Sequence, residues 1–397
     1  MSNQSKPHIL IIPSWYPRFK GDISGSFFRE QSLALLKKQC KVGIIFPEYR
    51  SMKDWRGLFN KPYGLTIEND SGLFTYRWHS VVFTPKFQNY NIKCWVKIGL
   101  KLFENYINQH GRPDVLHVHS MLKGGFLAHA IYKKYGIPFV ITEHCSIFLK
   151  NELSRENINS LMEIIGDANS CIAVSETFKN QLNEIFETNK WAYIPNIVNE
   201  KFTQQEIKVK ENIDNFIYGS ISLLTKNKRV DLLIHSFSEI LKKYPNSILY
   251  IVGDGPEKNN LMEKVNKLNI NNSIKFYGLL TRDNIVSILQ NINCLVISSE
   301  FETFGVVAVE ALALGKPVVS TKCGGPESII NSKVGYLVEN NSEIDLINGL
   351  IDIQKNYKNF SSQEIREYCL NNFSEDIIVG KLKKIYSEIL EYNKNNE

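Results

Sequence analysis

The chain has 397 residues, of which 43% are hydrophobic, 11% aromatic and 22% charged. That balance excludes a disordered chain and a coiled coil, and at roughly 150 residues per domain the length predicts two or three domains. Lys and Arg total 47 against 41 Asp and Glu, a net charge of +6. Without a clustered basic patch this is too weak to argue for a nucleic-acid partner.

The seven cysteines include no Cys-x-x-Cys pair. An odd number without that spacing argues against a disulfide framework and against a zinc ribbon, and fits small buried hydrophobes in a reducing compartment. The first apolar run, Ile9–Ile12, is too short for a secretory signal, and no stretch approaches the ~18 apolar residues of a membrane span. The expectation is a cytoplasmic protein that rests at most on the inner face of the membrane.

In chain order, strands are predicted at 8–12, 41–46, 73–78, 115–118, 138–142, 170–174 and 191–194, with helical periodicity between them, as in 26–38 and 93–107. The pattern resumes with strands at 216–220, 247–252, 274–277, 294–297, 317–320 and 335–338 and helices such as 230–243 and 256–268. Strands rich in Ile and Val alternating with helices predict parallel sheets covered on both faces. Residues 199–215 are polar and aperiodic and mark a boundary. The expected organisation is α/β: two Rossmann-like domains facing a central cleft, 1–200 and 201–374, then a C-terminal amphipathic helix, 375–397, that packs back toward the first domain. Its apolar stripe is Ile378, Leu382, Ile385, Ile389 and Tyr392.

In open α/β sheets ligands bind beyond the carboxyl ends of the strands, so the strand-to-helix turns are where chemistry is expected. The segment 298–315 reads SSEFETFGVVAVEALALG. A strand ends at Ser298; a helix is expected from Thr303, as N-cap, to Gly315. That helix is apolar nearly all round, yet carries Glu310. A buried carboxylate requires a polar partner: an internal salt bridge, a hydroxyl, or the hydroxyls of a ligand. Glu302 precedes the helix, and the amides of Phe304, Gly305 and Val306 would direct the positive end of the helix dipole at an anion.

Glu302-Thr-Phe-Gly and Glu310-Ala-Leu-Ala-Leu-Gly-Lys-Pro-Val-Val319 resemble the Glu-x7-Glu element of the retaining glycosyltransferases of family 4, which have the GT-B fold. Tyr250-Ile-Val-Gly253-Asp-Gly255-Pro, Phe276-Tyr-Gly278, Cys323-Gly-Gly-Pro-Glu327 and Tyr193-Ile-Pro-Asn196 extend the resemblance over most of the chain. It implies that Glu302 contacts the donor sugar, that Glu310 holds the ribose, that Gly253 lies beside the nucleotide and that Lys228 neutralises the donor diphosphate. With a lysine and a helix N-terminus at the diphosphate, no metal and no cofactor are required. In the first half, Thr142-Glu143-His144 ends a strand and resembles the family's strand-end histidine. His144 would hydrogen-bond a sugar hydroxyl or orient the attacking oxygen, or else simply cap the strand. His117 and His119 share a strand face, but no third metal ligand is evident. The loop from Pro13 to Gln31, with Trp15, Tyr16, Gly21, Gly25 and Ser26, resembles the family's glycine-containing acceptor-side loop; Trp15 and Tyr16 would stack on sugar faces or on their own turn.

Two positions depart from the family pattern. Leu223 stands where an arginine usually precedes the lysine by five residues, leaving Lys226 or Arg229 to compensate, and Asn196-Ile-Val-Asn199 replaces Asn-Gly-Val-Asp. Between Pro47 and Tyr106, basic residues (Arg50, Lys53, Arg56, Lys61, Lys86, Lys93, Lys97, Lys101) mix with Trp55, Phe59, Phe83, Phe87, Tyr90 and Trp95. Such a mixture suits an anionic lipid surface or a lipid-diphosphate acceptor, and equally a solvated face.

The resemblance implies a retaining hexosyltransferase. It would move sugar from a nucleotide sugar (UDP first, GDP second) to a glycan or lipid-linked acceptor in surface polysaccharide or glycolipid synthesis. The alternatives are a nucleotide-sugar epimerase on the same fold and a non-catalytic partner subunit.

Overall fold

A computed structural model describes residues 6–19, 22, 24–51, 62–82, 88–150, 153–208 and 214–394. The chain divides into two compact units. The first comprises 1–174, 179–194 and 378–397; the second comprises 175–178 and 195–377.

In the first unit, β1 (His8–Pro13) leads to α1 (Ser26–Lys37), β2 (Lys41–Ser51), β3 (Gly64–Asp70), β4 (Leu73–Val82) and α2 (Gln88–His110). Then follow β5 (Val115–His119), α3 (Gly124–Tyr135), β6 (Phe139–Glu143), α4 (Arg155–Asp167), β7 (Ser170–Ala173) and β8 (Trp191–Tyr193). Among the described residues the sheet has eight strands in the order β3-β4-β2-β1-β5-β6-β7-β8. The central strands β1 and β5 are buried throughout, which is why Ile9–Ile12 of β1 is an unbroken apolar run rather than an alternation; β5, Val-Leu-His-Val-His, buries two histidines with its apolar residues.

One strand was not anticipated. β3 runs antiparallel to β4 at the sheet edge, with Asp70 opposite Leu73. The two-residue turn between them, Ser71-Gly72, has φ of 55° and 92°. Positive φ at both positions matches the right-handed twist of paired strands. The half-polar sequence of β3 carries no apolar run because most of its residues are exposed or half-exposed.

The second unit contains α6 (Glu200–Thr203), β9 (Ile217–Ile221), α7 (Val230–Lys243), β10 (Ile248–Val252), α8 (Lys258–Lys267), β11 (Ile274–Gly278) and α9 (Arg282–Asn291). These are followed by β12 (Cys294–Ile297), α10 (Val306–Ala313), β13 (Val318–Thr321), β14 (Gly335–Val338), α11 (Glu343–Lys355) and α12 (Ser362–Phe373); α5 (Glu176–Ile185) lies earlier in the chain. Its sheet is parallel throughout, in the order β11-β10-β9-β12-β13-β14. Leu233, Phe237, Leu249, Val296 and Leu350 lie in its core.

Each sheet reverses its strand order once: beside β1, between β2 and β5, and beside β9, between β10 and β12. The turns leaving the two strands at such a point diverge and open a crevice. In the first unit these are the turns after β1 and β5, and in the second those after β9 and β12.

Two helix expectations are corrected. α10 begins at Val306, not at Thr303; its N-cap is Gly305, whose φ of 98° is in the left-handed region. In α13 (Glu375–Lys394) the buried stripe runs through Ile378, Val379, Leu382, Tyr386 and Ile389. Tyr386 replaces Ile385 as a core residue, and Tyr392 is exposed, because the helix rotates its seam toward the hydrogen-bonding partner of the tyrosine.

Candidate active site

The second unit gathers most of the residues singled out in the sequence. The turn after β9 and the turn after β12 are sewn together. The amide of Glu300 donates to the carbonyl of Asn227 at 2.8 Å, and Ser298 Oγ donates to the carbonyl of Lys228 at 2.8 Å. The side-chain amide of Asn227 reaches the carbonyl of Phe301 at 3.1 Å. This framework places Lys228 Nζ in an ion pair with Glu302 Oε1, which also accepts from Ser299 Oγ at 2.9 Å. Both side chains are about one-fifth exposed (21% and 20%), so the pair is held but reachable.

The backbone of Glu302 is fixed from the other side. Its amide donates to the carbonyl of Cys323, and its carbonyl accepts from the amide of Gly325, both at 2.7 Å. Glu327 turns back to accept from the amide of Gly324 at 2.8 and 2.9 Å. The Gly-Gly loop is therefore a clamp on the Glu302 turn. Gly305 opens α10, whose first amides have no acceptor within the helix and present partial positive charge. Phe304 is buried against Phe373.

Gly253 follows β10, flanked by the turns of its two neighbours: Gly253 N donates to Gly278 O at 2.8 Å, and Ser222 N to Val252 O at 3.0 Å. Its φ is 136°, and a Cβ there would lie 1.8 Å from Ser222 O. Leu223, at the arginine position, is 52% exposed. Neither expected substitute contacts Glu302 in the described structure. Lys226 and Arg229 line a separate cavity of about 340 Å³ with Thr225, Asp231 and Glu257, and Arg229 is engaged by Asn341 and lies 3.8 Å from Asp231.

Glu310 is buried in the middle of α10, and its Oε1 lies 3.1 Å from Arg282 Nη2 on α9. Of the partners open to that carboxylate, an internal cation is present in the fold. Sequence reasoning did not find Arg282, because nothing in the spacing of residues 282 and 310 brings the two helices together.

In the first unit the switch point joins the loop that follows β1 to three histidines. His117, His119 and His144 are buried. His119 Nδ1 lies 3.1 Å from His144 Nε2. His117 stacks on His119 with centroids 4.5 Å apart, and its nitrogens meet Tyr386 Oη at 2.6 Å and Thr142 Oγ1 at 2.7 Å. Burial pushes His117 down to about 3. Burial and the neighbouring histidines push His119 and His144 well below the usual histidine value. All three are therefore neutral near pH 7. The carboxylate of Glu143 accepts from the amides of Met121, His144 and Cys145, each at 2.8 Å, and so fixes the backbone that carries His144.

Phe28 links this cluster to the loop, with ring centroids 4.8 Å from His119, 4.9 Å from His144 and 5.2 Å from Trp15. Gly25, with φ of 71°, is the N-cap of α1, and Ser26 is its first residue. Tyr16 is placed differently. It is buried, with Phe46 at 6.3 Å and the Arg77 guanidinium at 5.7 Å from its ring, and burial pushes its hydroxyl pKa up. Arg77, itself buried between Glu48 and Glu68, also donates to the carbonyl of Pro17 at 2.8 Å. Tyr16 and Arg77 thus anchor the loop that Trp15 tops. Gly21 lies outside the described residues.

His129, Glu163 and Asp167 also converge within ligand distance of one another. Lys133 already pairs with Asp167 at 2.6 Å, so this is an ion-pair cluster on the helices.

Two family models match, "Glycosyltransferase Family 4" over residues 25–202 and "Glycosyl transferases group 1" over residues 202–372. The chain is 28% identical over 305 residues to N-acetyl-alpha-D-glucosaminyl L-malate synthase of Bacillus anthracis, covering 73% of this chain and 79% of that protein. It is 24% identical over 306 residues to alpha-monoglucosyldiacylglycerol synthase of Acholeplasma laidlawii, covering 70% and 76%. The fold superposes on sucrose-phosphate synthase of Thermosynechococcus elongatus with a TM-score of 0.78 at 18% identity, over 98% and 100% of the two chains. On Anabaena HepE in complex with UDP the TM-score is 0.71 at 17% identity, over 96% and 100%. The chain carries group 1 and family 4 glycosyltransferase domains and is a glycosyltransferase of GT-B fold.

Proposed function

We propose that the protein is a retaining transferase that takes a sugar from a nucleotide diphosphate, UDP before GDP, and passes it to a glycan or lipid-linked hydroxyl. The observation that carries this reading is the Lys228–Glu302 pair at the switch point of the second sheet. In a nucleotide sugar the β-phosphate is bonded to the anomeric carbon, so a phosphate-binding cation and a hydroxyl-binding carboxylate must be neighbours. Lys228 and the opening amides of α10 meet the charge that grows on the leaving diphosphate, a role that asks for no metal. Glu302 accepts from hydroxyls of the sugar, Gly253 lets the backbone approach the nucleotide, and Glu310 holds the ribose. The Trp15 loop and His144 receive the acceptor. No carboxylate nucleophile is assigned opposite the sugar, so the acceptor attacks from the face the diphosphate leaves, and the departing phosphate takes its proton.

The likeness to a glucosyl-diacylglycerol synthase supports a lipid-linked acceptor. So does the outer face of α2, where Lys93, Lys97 and Lys101 recur every fourth residue in the open beside Tyr90. Two members of the expected basic–aromatic surface do not belong to it. Trp95 is buried and donates to Pro47 O at 2.7 Å, and Arg50 is buried and donates to Pro62 O at 2.6 Å. Lys53, Trp55, Arg56, Phe59, Lys61, Phe83, Lys86 and Phe87 lie outside the described residues. Among the described residues no helix is long and apolar enough to cross a membrane.

The test is a thermal-shift screen with UDP-, GDP- and ADP-sugars, followed by transfer assays on Glu302→Ala with the donor that stabilises. Transfer should fall about a hundredfold; an unchanged rate overturns the assignment.

A further inference from the structure

Arg282 stands in a place where a cation is electrostatically disfavoured. It is the first residue of α9 after the N-cap Thr281, and the N-terminus of a helix repels positive charge. Its position is nonetheless strongly specified. The guanidinium lies 5.4 Å from the ring centroid of Phe202, a fully buried side chain of α6. The adjoining residues pin the same two elements together, with Lys201 Nζ 2.7 Å from Asp283 Oδ1. At the far end, Arg282 Nη2 meets Glu310 Oε1 at 3.1 Å, with side-chain exposures of 22% and 5%. An almost fully buried carboxylate thus lies within ion-pair distance of a partly exposed cation whose guanidinium lies over a buried aromatic ring.

We infer that Arg282 is a positioning residue for the donor nucleotide: it keeps the Glu310 carboxylate aimed, and so sets the preference for a ribose over a 2′-deoxyribose. This rests on the proposed reading that Glu310 grips the ribose. A carboxylate accepts from two vicinal hydroxyls only in a narrow range of rotations about its side chain. The guanidinium, within ion-pair distance of Oε1, biases that rotation by its charge and its planar shape, which the compact ammonium of a lysine would not do equally well. Arg282 acts through Glu310 and takes no part at the reacting carbon.

The experiment is competitive binding of UDP against 2′-deoxy-UDP, and of GDP against 2′-deoxy-GDP. It uses the full chain as wild type, Arg282→Gln, Arg282→Lys and Glu310→Gln, with thermal stability recorded alongside. The wild type should favour the ribonucleotide by about tenfold or more, the worth of one good hydrogen bond to a charged group. Arg282→Gln should bring the ratio to within about twofold and Arg282→Lys should leave it between the two. The donor KM of both variants should rise with kcat at saturation nearly unchanged. If Arg282→Gln lowers thermal stability but keeps the ratio, the arginine is only structural and the inference is overturned. Should that variant not fold, Arg282→Lys decides: a ratio equal to wild type overturns it. If Glu310→Gln keeps the ratio, the ribose assignment of Glu310 fails and the inference goes with it. If Glu310→Gln abolishes the ratio while both Arg282 variants keep it, the inference alone fails. A wild type that binds none of the nucleotides overturns both.

Discussion

Gly253 and Gly136 both have positive φ, 136° and 66°, but only the first is hemmed in. A Cβ at 253 would fall 1.8 Å from a backbone oxygen, whereas at 136 nothing lies within 4 Å. Gly136→Ala carries only the conformational cost of a left-handed residue, about 1 kcal/mol. Gly253→Ala must in addition push apart the turns after β9 and β10, and should cost about 3 kcal/mol or more. Urea unfolding of the two variants checks this, and equal losses would show that the close approach at Gly253 is relaxed in solution. Residue type was legible here: a glycine after a buried strand announces a special backbone. Which oxygen forbids a side chain was not, because that atom belongs to a turn some thirty residues earlier.

At the scale of elements, the tips of β5 and β6 carry three histidines that folding keeps neutral. Their pKa values are depressed in the folded state, His117 to about 3 by burial and the other two in the same direction. Above the unfolded value, near 6.5, neither state binds a proton there and the stability is fully present. As pH falls below that value the unfolded chain takes up protons that the folded chain refuses. Stability then declines toward pH 3 by roughly 1.4 kcal/mol per pH unit for each histidine. Proton uptake on unfolding at pH 5 should therefore drop by about one proton in His119→Gln. An uptake equal to that of the wild type would mean that the cluster is hydrated and already protonated in the fold. The strands themselves were readable as apolar runs. The stacking of His117 on His119 follows from their shared strand face, but the approach of His144 required the β5–β6 register, in which His119 pairs with Thr142.

At the scale of the whole molecule, the net charge of +6 becomes informative only where the fold concentrates it. Lys93, Lys97 and Lys101 lie outward on one helix, and among the described residues none of them forms an ion pair. Each lysine near an anionic bilayer contributes about 1 kcal/mol, an attraction that salt screens. Sedimentation with phosphatidylglycerol vesicles should therefore exceed that with phosphatidylcholine vesicles, and the triple substitution of these lysines by Gln should abolish the difference. Equal partitioning of the wild type onto both would remove the proposed membrane contact.

Read alone, the sequence announces the two α/β units, the strand-to-helix turns to which the chemistry is assigned in the proposed function, and the glutamates around α10, because parallel strands and buried helices leave continuous apolar runs in which a lone charge is conspicuous. It could not determine what meets that charge. Arg282 and Glu310 are 28 residues apart on separate helices, Tyr386 reaches His117 across 269 residues, and Tyr16 is turned into the core by an arginine on β4. Those pairings are decided by packing between distant elements, where a hydrogen bond or ion pair forms only once both backbones are in place. Local periodicity records which face of an element is buried and carries no information about its partner there.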